Sequence, residues 1–174
     1  MSRNCLFYSS FLILVSGCGS FGPTVPAPVI GTSPQPSIAP ASSAPQRTER
    51  SEALLQALLA LGLDYRYGGK SPVTGFDCSG LVAHIYKEAW GVRLPPTTKA
   101  QSVAGVPVSL AELQAGDLVF YDTQKRPYSH VGIYLGDGKF VHAPKSGARV
   151  RVESLTSTYW TRRFNGARRV EPSL

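Results

Sequence analysis

Phe76-Asp77-Cys78-Ser79-Gly80-Leu81-Val82-Ala83-His84-Ile85-Tyr86-Lys87-Glu88-Ala89-Trp90-Gly91 is the stretch around which this chain of 174 residues organises. Cys78, Leu81, Val82, Ile85 and Ala89 recur at helical spacing, so one apolar face is expected from Cys78 to Trp90. Asp77 stands where an N-cap belongs, and Gly91 stands where the helix should stop. Cys78 then opens a helix, where unpaired N–H groups and the helix dipole favour thiolate over thiol. It lies on the apolar face, which aims it at a cleft between helix and sheet. That describes a nucleophile, and it also describes a buried structural cysteine.

Downstream, three apolar runs read as strands: Leu118–Tyr121, Val131–Leu135 and Phe140–Ala143. Val150–Val152 and Arg168–Val170 are the expected fourth and fifth strands, and Ser109 to Glu112 has capping-box spacing for one short turn. Helices first and strands after predict an α+β domain. The chain has three histidines. His84 follows Cys78 by six residues, which turns it away from the cysteine face and toward the surface. His130 and His142 flank the hairpin signal Gly136-Asp137-Gly138. A three-residue loop sets Leu135 opposite Lys139 and Gly132 opposite His142. His130 then shares a sheet face with His142 as a diagonal neighbour, about 7–8 Å away along the backbone. A two-residue loop slips the register by one and parts the two rings. Gly138 suits the left-handed place of the longer loop.

A Cys–His–His set divides the work of acyl transfer. Cys78 attacks a carbonyl, His130 takes its proton and later protonates the leaving amine, and His142 orients His130. Backbone N–H of Cys78 and the hydroxyl of Tyr65 are candidate oxyanion donors, although Tyr65 reads equally as a core aromatic. Activity is then expected to fall as acid protonates the imidazole, from its ordinary range downward. The same three residues are legitimate zinc ligands, but they lack a compact ligand pair, so no metal is expected.

Upstream, the leucines at 54, 55, 58, 59 and 61 predict an amphipathic helix over Ser51–Leu61, stopped by Gly62. Residues 1–46 hold a single charge, Arg3, while the whole chain carries 18 Lys/Arg against 11 Asp/Glu. Leu6 to Val15 is a nearly apolar run of ten residues, too short to span a bilayer and of the length of a signal-peptide core. Val15-Ser16-Gly17-Cys18 follows and resembles the lipobox of bacterial lipoproteins. That resemblance implies a signal peptide over 1–17 and lipidation of Cys18, so that the membrane is a partner through the acyl chains. Gly19, in place of Asp, implies the outer membrane of a Gram-negative bacterium, facing the periplasm. From 18 to 46 the chain is a Pro/Ser-rich tether, with seven of the fourteen prolines and no charge. The folded domain is expected over 47–174.

Phe76-Asp77-Cys78-Ser79-Gly80-Leu81-Val82, Leu94-Pro95-Pro96-Thr97-Thr98, Gly116-Asp117-Leu118-Val119-Phe120, His130-Val131-Gly132-Ile133-Tyr134 and Phe140-Val141-His142-Ala143 together resemble the NlpC family of papain-like cell-wall peptidases. Tyr159-Trp160 and Asn165-Gly166-Ala167-Arg168-Arg169-Val170 make the tail similar to an outer-membrane lipoprotein member of that family. The resemblance implies a papain-like α+β fold, with the cysteine helix packed on an antiparallel sheet. It places the nucleophile on Cys78, the base on His130 and the third polar residue on His142. The oxyanion or substrate-binding candidates are Tyr65, Asp77 and Ser79; the loop Lys70–Gly75 is one residue longer than in that member, which loosens the placing of Tyr65. It implies no cofactor. The implied substrate is peptidoglycan, cut at a D-glutamyl–diaminopimelate or D-alanyl–diaminopimelate bond. The net charge of +7 suits carboxylate-rich stem peptides, with Arg66, Lys70 and Lys99 near the motifs. An exported chain with interleaved charges argues against nucleic acid. A non-catalytic peptidoglycan-binding lipoprotein, or an amidase or acyltransferase using the same thiol, remain the alternatives.

Overall fold

The structure, a computed structural model of the protein, describes residues 44–171. The expected signal peptide, Cys18 and the tether as far as residue 43 lie outside the described residues. Helix α1 spans Ala44–Leu59. It begins earlier than Ser51, so the expected boundary at 46/47 falls inside the helix. Ala53, Ala57 and Ala60 are buried, whereas Leu55, Leu58 and Leu59 are exposed. The leucine spacing points to the opposite face. Packing on the cysteine helix is close, and alanine is what permits two helix backbones to approach.

A hairpin of two short strands, β1 (Lys70–Ser71) and β2 (Gly75–Phe76), leads into α2 (Cys78–Trp90). Asp77 has extended backbone and accepts the Gly80 N–H at 2.7 Å, and Gly91 closes the helix by donating to Lys87 O at 2.9 Å. Leu81, Val82, Ile85 and Tyr86 are fully buried. Burial at that level is worth about 1.5–3 kcal/mol for each large apolar side chain. His84 is half-buried, its ring centroid 4.9 Å from that of Phe76, so it is not the free surface residue its spacing suggests.

A short helix α3 (Thr98–Gln101) and strand β3 (Val106–Val108) follow, then a 3-10 turn over Leu110–Glu112 in which the Ser109 hydroxyl donates to the Glu112 carboxylate at 2.6 Å. The remaining elements are β4 (Leu118–Tyr121), β5 (His130–Gly136), β6 (Lys139–His142), β7 (Arg151–Ser154), α4 (Thr158–Thr161) and β8 (Phe164–Arg169). Six strands form one antiparallel sheet in the order β3-β8-β4-β5-β6-β7. Strand alternation divides the core. Leu118, Phe120, Val131, Ile133 and Val141 face α1 and α2, while Val119, Tyr121, Phe140 and Ala167 face Trp160 on the other side. Asp117, 3% exposed, ties the sheet to the preceding turn: it accepts from Arg169 at 2.8 and 2.7 Å and from the Gln114 N–H at 2.7 Å.

Candidate active site

The β5–β6 register decides the site. Ile133 pairs with Val141 and Tyr134 with Phe140, which extends to Gly132 opposite His142 as the longer loop requires. The loop itself is different. Asp137 (φ 49°) and Gly138 (φ 67°) form a two-residue turn with both residues left-handed, and Lys139 pairs with Gly136. A bulge between Tyr134 and Gly136 absorbs Leu135. One residue lost from the loop and one added to the strand restore the expected register. Nε2 of His130 and Nδ1 of His142 consequently lie 2.7 Å apart, with the rings nearly perpendicular at 88°.

By strand alternation these imidazoles occupy the face that packs on Trp160, not the face covered by α2. The sulfur and the imidazole therefore do not face each other across a simple helix–sheet cleft. The backbone N–H groups of Val131 and Ser79 act on the Cys78 sulfur, so it meets β5 at the peptide joining His130 to Val131. Thr98 Oγ1 lies 3.7 Å from Sγ. Cys78 is a free thiol.

Burial raises the Cys78 pKa; the Thr98 hydroxyl and the two N–H groups pull the other way, and Asp77 adds to the rise. The helix N-terminus does not outweigh desolvation here. Burial also drives His130 down to about 4, and pushes His142 further down, with His130 and Arg151 adding to it. The thiol and both imidazoles are thus neutral at rest.

The other candidates are accounted for by their bonds. Asp77 accepts from the Gly80 N–H, the Ser79 hydroxyl and the Gly68 N–H, and Ser79 also donates to Pro96 O at 3.2 Å. Their polar atoms thereby fasten the helix start to the two loops beside it, although both residues border the groove holding Cys78. Tyr65 is half-buried in the same groove; burial raises its phenol pKa, and Cys78 and Asp77 raise it further, so it stands within electrostatic range of the sulfur. The groove has a volume of about 820 Å³ and is bordered by Lys70, Lys99 and Arg126 among others. Arg66 does not border it. A second cavity of about 450 Å³ opens beside His130 and His142, and Gln124 borders both.

Thr98, Glu153 and Trp160 escape the sequence analysis as members of the site. Thr98 could have been found from the Pro95-Pro96-Thr97-Thr98 run. Glu153 carries no local signal, because only pairing of β6 with β7 brings it to His142. Among the described residues, no group of three or more His, Cys, Asp or Glu is placed to hold a metal ion.

Helix-borne thiol, antiparallel sheet and strand-end imidazole pair define a papain-like α+β fold. The NlpC/P60 family profile matches residues 62–169, and the chain belongs to that family. It is 44% identical over 121 residues to murein DD-endopeptidase MepH of Escherichia coli K12, covering 68% of this chain and 45% of that protein. It is 43% identical over 109 residues to murein DD-endopeptidase MepS/murein LD-carboxypeptidase of the same strain, covering 63% and 56%. A solved NlpC/P60 family protein from Bacillus cereus ATCC 10987 superimposes with a TM-score of 0.65 at 35% identity, over 69% of this chain and 39% of that one. The chain thus spans roughly half the length of the curated relatives it matches.

Proposed function

We propose that this protein is a cysteine endopeptidase that hydrolyses peptide stems or cross-links of peptidoglycan. The observation that carries the reading is a free, largely buried thiol meeting β5 at the His130–Val131 peptide, with His130 bonded to His142 at 2.7 Å. The family membership and the names of the murein endopeptidases at 43–44% identity support the substrate class.

His130 takes the Cys78 proton as Sγ attacks the scissile carbonyl carbon, because neither group is charged beforehand. The oxyanion accepts from the Cys78 N–H and the Tyr65 hydroxyl. The protonated imidazole then gives its proton to the leaving amine, the C–N bond breaks, and a thioester remains on Cys78. Water, deprotonated by His130, hydrolyses that thioester and frees the thiol. Lys70, Lys99 and Arg126 at the groove suit the carboxylates of stem peptides. The D-alanyl–diaminopimelate cross-link is the preferred bond, in keeping with the DD-endopeptidase names. The lipobox supports anchoring through Cys18 in the outer membrane, with the domain in the periplasm.

Purified murein incubated with the protein should release muropeptides whose masses show a new stem-peptide amine. Equal release by the Cys78→Ala variant refutes the reading, and retention on murein without cleavage favours the binding alternative. Incorporation of a palmitate analogue that survives Cys18→Ser would overturn the anchor.

A further inference from the structure

His142 Nε2 is fully buried and has no hydrogen-bond partner. The nearest carboxylate oxygen, Glu153 Oε1, lies 3.9 Å from it. Glu153 is held in place from two sides: Arg151 Nε donates to Oε1 at 2.7 Å, and the Trp160 indole N–H donates to Oε2 at 3.1 Å. Trp160 also packs against both imidazoles, its ring centroid 5.7 Å from that of His130 and 5.0 Å from that of His142. The carboxylate thus faces Nε2, the ring nitrogen of His142 that does not meet His130.

The proton count along this row has two solutions. In one, His142 carries its proton on Nε2, so Nδ1 is an acceptor. His130 must then donate from Nε2, and its Nδ1 lone pair is left to take the Cys78 proton. In the other, His142 carries its proton on Nδ1 and donates to His130 Nε2. His130 then carries its proton on Nδ1 and cannot act as a base toward the thiol. The two states differ at the far end. The first turns an N–H toward the Glu153 carboxylate, and the second turns a bare lone pair toward it.

We propose that Glu153 is a positioning residue that selects the Nε2–H tautomer of His142 and thereby keeps His130 in the form that can accept the thiol proton. The proposal rests on the endopeptidase reading for its catalytic consequence, but the tautomer can be read without any substrate. The charged groups around His142 are few: His130 from β5, Glu153 and Arg151 from β7, and Lys145 at the rim of the same cavity. Arg151 offsets part of the Glu153 charge. Arg151 also acts on His142 and lowers its pKa, while its Nε donates to the carboxylate oxygen that lies 3.9 Å from His142 Nε2.

Two-bond nitrogen–proton correlation spectra of the full-length protein with labelled histidine test this directly. The expected result is Nε2–H for His142 in the wild type and in Glu153→Asp. Glu153→Leu, which leaves Nε2 without an acceptor, should move it toward Nδ1–H. A wild-type His142 found as Nδ1–H, or a Glu153→Leu spectrum unchanged from wild type, overturns the proposal. On purified murein, Glu153→Leu should lower kcat by on the order of 10-fold or more with KM little changed, by analogy with other tautomer-orienting carboxylates, and Glu153→Asp should keep most of the wild-type kcat. A change in KM alone, or a Glu153→Asp variant as slow as Glu153→Leu, overturns it. If murein is not cut by the wild type while the tautomers behave as stated, the substrate reading fails and the role of Glu153 stands.

Discussion

Cys78 is pulled in two directions at the start of its helix. Desolvation and Asp77 oppose the thiolate, and the Thr98 hydroxyl with the N–H groups of Val131 and Ser79 favours it less strongly. The same burial makes His130 a weak base, with a pKa near 4. The acid limb of the rate is therefore expected near pH 4, below the ordinary imidazole range. Rates on murein measured from pH 7 down to 3.5 should stay level to about pH 5 and then fall. Stability follows the same group with a definite sign. A histidine whose pKa is lower folded than unfolded binds fewer protons when folded, so its contribution is complete above about 6.5 and is lost as pH falls toward 4. At about 1.4 kcal/mol per pH unit, His130 alone accounts for a few kcal/mol, and Tm by calorimetry should drop clearly between pH 7 and 4.5. Replacing Cys78 by Ala should reduce hydrolysis on the order of 10³-fold or more, as loss of a nucleophile does elsewhere.

At the scale of elements, the site depends on how the cysteine helix is seated. A Cβ on Gly80 would stand 2.1 Å from the carbonyl oxygen of Gly69, a backbone atom that no side-chain movement relieves. Gly80→Ala should lower stability by about 1–3 kcal/mol and reduce kcat with it, since the helix start carrying Cys78 is displaced; urea denaturation and murein assays on one preparation check both. Asp77→Ala removes the N-cap and the bond to the Gly68 N–H together. A loss of about 1–2 kcal/mol is expected, with most of it recovered by Asn. At the hairpin, Gly136-Asp137-Gly138 is legible as a turn, and the facing of Gly132 and His142 follows from side-chain parity. The bulge at Leu135 is not legible, because a strand's extra residue leaves no mark in its alternation until a partner strand is present. The alanine face of α1 has the same character: leucines signal apolarity, but the spacing between two helices decides which face is covered.

Across the whole molecule, the excess of basic residues acquires a place. Lys70, Lys99 and Arg126 come from three separate segments and border one groove with Cys78. Exposed charges of this kind are worth about 0.2–1 kcal/mol each. Changing all three to Gln should raise KM for murein roughly 5- to 20-fold with kcat little affected, and added salt should narrow the difference. An unchanged KM would assign these cations to solubility instead.

The amino-acid order by itself determined the cysteine helix with its cap, the β4 strand, the hairpin that pairs two histidines and the α+β class, because each rests on local periodicity or on a single turn. Tertiary structure alone decided that the imidazoles sit on the Trp160 face, that Glu153 stands behind His142, and that all three titrating side chains are held neutral. Those outcomes depend on which distant segments exclude water from one another, and desolvation is a property of the assembled fold that no stretch of chain carries alone.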